Sequence, residues 1–202
     1  MKIEGEAVYI DATGKRYSIE GVGNVSDSVA LQKLKVSGSF KFDKVSCDDI
    51  SISGECKGKS FNAKNISVEG TVDIDTVEAY SFQLSGSARI NGIVAEKIII
   101  ESCKGTIGAI KCSKLKIFHE EINMLNESIL SNIFSVKTSH HSNSCVKIKS
   151  IDAETIHLEN CTVDVIKCKD AFIGANCTID KLFVAGECKV ADNSTVGETI
   201  HT

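Results

Sequence analysis

Gly38, Gly54, Gly70 and Gly86 recur at intervals of sixteen residues, and Ser102 takes the next place in the series. An apolar-x-apolar pair precedes each of these positions: Leu34/Val36, Ile50/Ile52, Ile66/Val68, Phe82/Leu84 and Ile98/Ile100. A second pair follows six positions later: Phe40/Phe42, Cys56/Gly58, Val72/Ile74 and Ala88/Ile90. A third comes five positions after that: Val45/Cys47, Phe61/Ala63, Val77/Ala79 and Ile93/Ala95. Self-similarity at a fixed period is the mark of a repeat architecture, and it outranks local propensity in deciding the fold.

Each pair reads as a very short strand with two side chains on one face. Three strands per sixteen residues, each ending in a corner, trace one turn of a three-sided coil. Coils stacked about 4.8 Å apart pair strand on strand and line the inward side chains into ladders. No single coil can bury its own apolar face, so the unit is stable only as a stack. The chain contains no proline, as expected where nearly every strand residue needs its N–H for the ladder. A hexapeptide solenoid would repeat in sixes and a pentapeptide one in fives, so the 6-5-5 rhythm fits neither. The Leu/Asn consensus of leucine-rich repeats is absent.

Near residue 103 the register slips by one position. Cys103, Gly105 and Ile107 take the second-strand region, Ile110/Cys112 the third and Leu115/Ile117 the next first strand. Phe118, Ile122, Leu125, Ile129 and Ile133 are then spaced 4, 3, 4, 4, which predicts an inserted amphipathic helix from 118 to about 134. A polar loop follows over 135–144. Apolar pairs resume at Val146/Ile148 and run through Ile151/Ala153, Ile156/Leu158, Cys161/Val163, Ile166/Cys168, Ala171/Ile173, Cys177/Ile179, Leu182/Val184 and Cys188/Val190. The predicted organisation is an N-terminal cap or hairpin over 1–28, a first β-helix arm over 29–117, the inserted helix and loop over 118–144, and a second arm over 145–202. The total is about nine turns, roughly 43 Å of stack. Whether the second arm continues the first stack or folds back beside it is left open by the spacing.

Apolar residues make up 42% of the chain but aromatics only 5%, so the interior is expected to be aliphatic with cysteine as a small filler. A net charge of −4 with interspersed signs excludes a basic nucleic-acid footprint. MKIEGEAVYI lacks the apolar stretch of a signal peptide, and no run reaches the length of a membrane span. The expectation is a cytoplasmic protein with reduced thiols. Six Asn-x-Ser/Thr sequons (Asn24, Asn65, Asn126, Asn160, Asn176 and Asn193) then reflect composition.

Of the nine cysteines, Cys47, Cys56, Cys112, Cys161, Cys168, Cys177 and Cys188 fall at inward positions and read as small hydrophobes. Cys161 and Cys177 should stack in adjacent coils, where a disulfide or metal site is the alternative; no zinc-type spacing supports one. His140 and His141 read as solvated loop residues. His119-Glu120-Glu121 lacks the second histidine of a zinc helix, and His157 should point outward. Asp48-Asp49 is the nearest thing to a catalytic carboxylate pair, and a solvated corner is the plainer reading. No nucleophile elbow, phosphate loop or dinucleotide fingerprint is present. The chain is expected to be no enzyme, with no cofactor and no metal.

The units KVSGSFKFDKVSCDDI, SISGECKGKSFNAKNI, SVEGTVDIDTVEAYSF and QLSGSARINGIVAEKI (Lys35 to Ile98) resemble the bactofilin family. The apolar-Ser/Glu-Gly starts and the piece Ile90-Asn91-Gly92-Ile93 carry the likeness. The stretch from Ile156 to Val190 looks like the second arm of the longer bactofilin-like proteins of Gram-positive bacteria. The resemblance covers about 140 residues. It implies an all-β fold, a right-handed parallel β-helix interrupted here by the one inserted α-helix. It also implies a bacterial cytoskeletal scaffold that polymerises without nucleotide and supports cell shape, envelope or motility machinery. The expected partners are further copies of the chain, other bactofilin-like proteins and membrane-associated proteins, and any membrane association would run through those partners. The end coils of such a stack expose strand edges that can pair with another chain. Cys188, Val190, Val196 and Ile200 at the C-terminal end are the expected self-assembly surface. Two other classes are a non-polymerising adaptor, which would need an exposed apolar flank, and an exported carbohydrate-active enzyme, which would need clustered acids.

Overall fold

A computed structural model describes residues 3–10, 15–119 and 145–202, with backbone alone for 3–10 and 25–29. The chain forms a β-solenoid of about nine turns. Strand β1 (Ile3–Ile10) runs antiparallel to the start of β2, with Ile10 opposite Tyr17 and Ile3 opposite Val25. Strand β2 (Arg16–Phe118) winds through successive coils as one run of 103 residues. Then come β3 (Val146–Leu158), β4 (Cys161–Ile173), β5 (Thr178–Val184), β6 (Cys188–Val190) and β7 (Thr195–His201), all joined by parallel pairing.

The inward ladders follow the apolar pairs. Leu34/Val36, Ile50/Ile52, Ile66/Val68, Phe82/Leu84 and Ile98/Ile100 are buried, as are the second and third pairs except at Gly58 and Ala79, which are half-buried. In the second arm every pair from Val146/Ile148 to Leu182/Val184 is buried. The first arm does contain aromatics inside: Phe42 stacks on Phe40 and on Phe61, at 5.2 and 4.2 Å between ring centroids. Gly58 holds the next coil's place beside Phe42, and a Cβ there would run into the Phe42 ring. The missing side chain is the room the phenylalanine fills. Among the described residues no buried side-chain nitrogen or oxygen lacks a hydrogen-bond partner.

The glycine column is a true corner. Gly54 has φ 132° and a Cβ on it would collide with the Gly38 carbonyl of the coil before; Gly70 and Gly86 repeat the arrangement. That backbone region is open to glycine almost alone. Ser102, the next place in the series, is left-handed with φ 46°. The register slip is real: Gly105 lies against Ala88 and Gly108 against Asn91, so this coil takes seventeen residues where the preceding ones take sixteen.

The second arm continues the first stack. Gly105 to Ile117 pair in parallel with Val146 to Leu158, and the Glu159 N–H donates to the Ile117 carbonyl at 2.9 Å. The arms are thus one solenoid that closes over the intervening segment. Of the helix predicted from 118, Phe118 is the last residue of β2, and the rest, with the polar loop, lies outside the described residues. No helix occurs among the described residues, so none is long and apolar enough to cross a membrane.

Candidate assembly surface

The C-terminal coil consists of β6 and β7. Cys188 and Val190 pair with Ala171 and Ile173, and Val196 pairs with Ile179. These three side chains therefore continue the inward ladders, and among the described residues no further strand pairs above them. The consequence is visible in exposure: Ile173 is 1% exposed, while Val190 on the next rung is 43% exposed. Cys188 and Val196 are likewise only partly buried.

Ile200 belongs to the same coil but faces the other way. It pairs with Phe183, which pairs with Lys167, in a column on the outer surface; the Lys167 ammonium sits 5.9 Å from the Phe183 ring centre. The inward positions of this last strand, above Leu182 and Val184, belong to Thr199 and His201. Sequence reading missed both, because these two inward positions carry polar residues. The seventeen-residue interval from Thr178 to Thr195 was the available signal.

A second feature missed from sequence lies at the corner before the second strand. Asn160 and Asn176 adopt left-handed conformations, φ 51° and 57°. The Asn176 amide donates to the Asn160 side-chain oxygen at 3.0 Å, and Asn193 donates to Asn176 at 3.3 Å. Three of the sequons are thus rungs of one amide ladder. In the last coil, the Ser194 hydroxyl accepts from the Cys177 N–H at 2.8 Å and donates to the Gly174 carbonyl.

The other candidate residues resolve into packing or surface pairing. Lys64 pairs with Asp48 at 2.9 Å and Asn65 donates to Asp49 at 2.8 Å, so each member of the acidic pair is matched by the following coil. The His157 ring faces out, tilted on Phe172 at 4.5 Å, with Nε2 3.2 Å from a Glu159 oxygen. His119 ends the first arm's described chain; Glu120, Glu121, His140 and His141 lie outside the described residues. Burial pushes the thiols of Cys56, Cys103 and Cys112 up to about 12 and that of Cys168 to about 11, which keeps them protonated and poor nucleophiles. Cys47 is raised in the same way by its burial. Cys161 and Cys177 do stack on one face, 3.8 Å between sulfur atoms. Among the described residues no three His, Cys, Asp or Glu side chains gather to hold a metal ion.

Two shallow depressions lie at the corner after the third strand. Cys47 and Ala63 line one, with Tyr80 beside them; Ala79, Ala95, Cys112 and Ala153 line the other, with Val94 beside them. Comparison with family models, with curated proteins and with solved structures returned no match to this chain.

Proposed function

We propose that this protein is a structural scaffold of the bactofilin type: a right-handed parallel β-helix that assembles end to end, without nucleotide, through its C-terminal coil. The reading rests on one observation above all. The last described coil carries Cys188, Val190 and Val196 on the continuing inward ladders, no other described strand pairs on them, and Val190 is 43% exposed. An uncovered strand edge joined to exposed apolar rungs is a surface that a second copy can complete with the same ladder. The resemblance of the sixteen-residue units points the same way. In this reading the protein acts in the cytoplasm, its partners are copies of itself and membrane-associated proteins, and it catalyses nothing.

Electron microscopy and sedimentation of the purified chain test the proposal. Filaments or discrete oligomers are expected, and a strictly monomeric species at high concentration across salt conditions would sink it. Val190→Asp and Val196→Asp should shorten the polymers; Ile200→Asp, on the outer column, should do so less.

One observation favours a second reading, an adaptor that binds through its flank. Tyr80 and Val94 are 56% and 53% exposed, each beside a shallow depression on the same flank, and exposed apolar side chains on one flank mark interaction sites. Substituting Tyr80 and Val94 with serine separates the two: an adaptor loses its partner, while a scaffold keeps its polymers.

A further inference from the structure

Cys161 and Cys177 hold the same inward position on neighbouring coils. Thr162 and Thr178, the residues after them, are parallel partners, so the two backbones run about 4.8 Å apart. That spacing falls inside the Cα separations of roughly 4.4–6.8 Å that a disulfide spans. The sulfur atoms are already 3.8 Å apart, and both cysteines are reduced. Bond formation requires side-chain rotation and no parting of the coils. Cys161 is 0% and Cys177 2% exposed, enclosed against large oxidants.

We propose that Cys161 and Cys177 are a redox-active dithiol whose substrate is a small hydroperoxide and whose product is a disulfide linking two coils of the second arm. The Cys177 thiolate attacks the outer peroxide oxygen; the O–O bond breaks, the alcohol or water leaves with a proton, and Cys177 becomes a sulfenic acid. The Cys161 sulfur then attacks the Cys177 sulfur. The S–O bond breaks, and the hydroxide departs with the Cys161 proton as water. Two thiols lose two electrons and the hydroperoxide gains them.

The order follows from the surroundings. The hydrogen bond between the two sulfur atoms lowers Cys177 below its ordinary value, with burial opposing it. Cys161 is raised by its hydrogen bond with Cys177 and by burial. Cys177 also lies one coil from the end of the stack, covered by the coil whose Ser194 binds its N–H and the Gly174 carbonyl. Ser194 thus fastens the coil that covers Cys177, and the oxidant enters when that coil lifts.

The link lies within one chain and does not depend on assembly. To test it, the reduced full-length protein is treated with hydrogen peroxide, its remaining thiols are alkylated in denaturant, and its peptides are mapped by mass spectrometry. The expected result is two of the nine thiols lost per chain, an intact mass lower by two hydrogens, and one peptide pair joining Cys161 to Cys177, reversed by dithiothreitol. Cys161→Val should abolish that peptide pair, and the wild-type map decides the matter if the variant fails to fold. Ser194→Ala should speed the reaction several-fold, and an unchanged rate would overturn the route through the last coil. The proposal itself fails if all nine thiols survive peroxide that oxidises an unfolded control. It also fails if the link joins other cysteines or two chains, or if Cys177 is over-oxidised while Cys161 remains alkylatable.

Discussion

The first and second arms turn the same corner by different chemistry. In the first, Gly38, Gly54, Gly70 and Gly86 hold φ between 121° and 132°. This region is wider than the left-handed well near +57°, and a side chain does not fit it. The backbone stays extended through the bend, and β2 runs unbroken for 103 residues. In the second arm Asn160 and Asn176 enter the left-handed well itself, at 51° and 57°, and the strand stops on either side of each. What the second arm gives up in backbone pairing it recovers through the amide ladder linking Asn160, Asn176 and Asn193. The interiors differ in parallel. The first arm fills its coils with Phe40, Phe42, Phe61 and Phe82, the second with aliphatic residues and cysteine.

The largest expected effect sets one interior against the other. Phe61→Ala, which unstacks Phe42, should cost about 3–5 kcal/mol in chemical denaturation, whereas Ile166→Val in the second arm should cost about 0.5–1.5 kcal/mol. Equal losses would show that the aromatic stack is not what holds the first arm. Next come the corners. Gly70→Ala meets both the φ of 129° and the Gly54 carbonyl and should cost about 1–3 kcal/mol. Gly70→Asn should rescue nothing, because the asparagine corner needs a different φ. Asn176→Gly keeps the backbone and loses only the ladder bonds, and a loss of about 0.5–1.5 kcal/mol is expected. If Asn176→Gly proves the costlier of the two, the ladder and not the backbone defines the second arm.

A smaller effect lies in alkaline stability. Folded Cys56, Cys103 and Cys112 keep their protons to about 12, while an unfolded thiol releases its proton near 9.0. Between those values the native state binds more protons, so stability should fall as pH rises through 9. Thermal melts from pH 7 to 10 should show the decline, and Cys56→Ala should flatten part of it. The smallest effect is expected at the surface. Lys64→Ala removes an exposed pair with Asp48 and should leave the melting temperature within the scatter of repeated measurements.

The inward ladders were legible because a solenoid writes each contact into the sequence as a repeat: Ile66 is buried on Ile50 for the same reason that Ile50 follows Leu34. Even the slip near Cys103 showed, since one extra residue shifts everything after it. The coaxial stacking was not legible. The pairing of Ile117 with Leu158 spans an interval that no period predicts, because the coil closes in space and not along the chain. At the C-terminal coil, Cys188, Val190 and Val196 were found as apolar residues in register, while Thr199 and His201 were missed because polar residues at inward positions leave no hydrophobic trace. The asparagine ladder was hidden by its own motif. Asn160, Asn176 and Asn193 stand sixteen and seventeen residues apart, but they read first as sequons, and a polar column on an outer corner leaves no hydrophobic trace.

The closure of the stack across the interval between His119 and Cys145 has a practical corollary. The Glu159 amide reaches the Ile117 carbonyl as though the two coils were consecutive, and the parallel pairing of Gly105–Ile117 with Val146–Leu158 carries the register across the interval. That makes the interval a place to splice in a fluorescent domain without entering a paired strand. A chain labelled there would let growth and turnover of any polymer be followed in living cells without touching the coil proposed to build it.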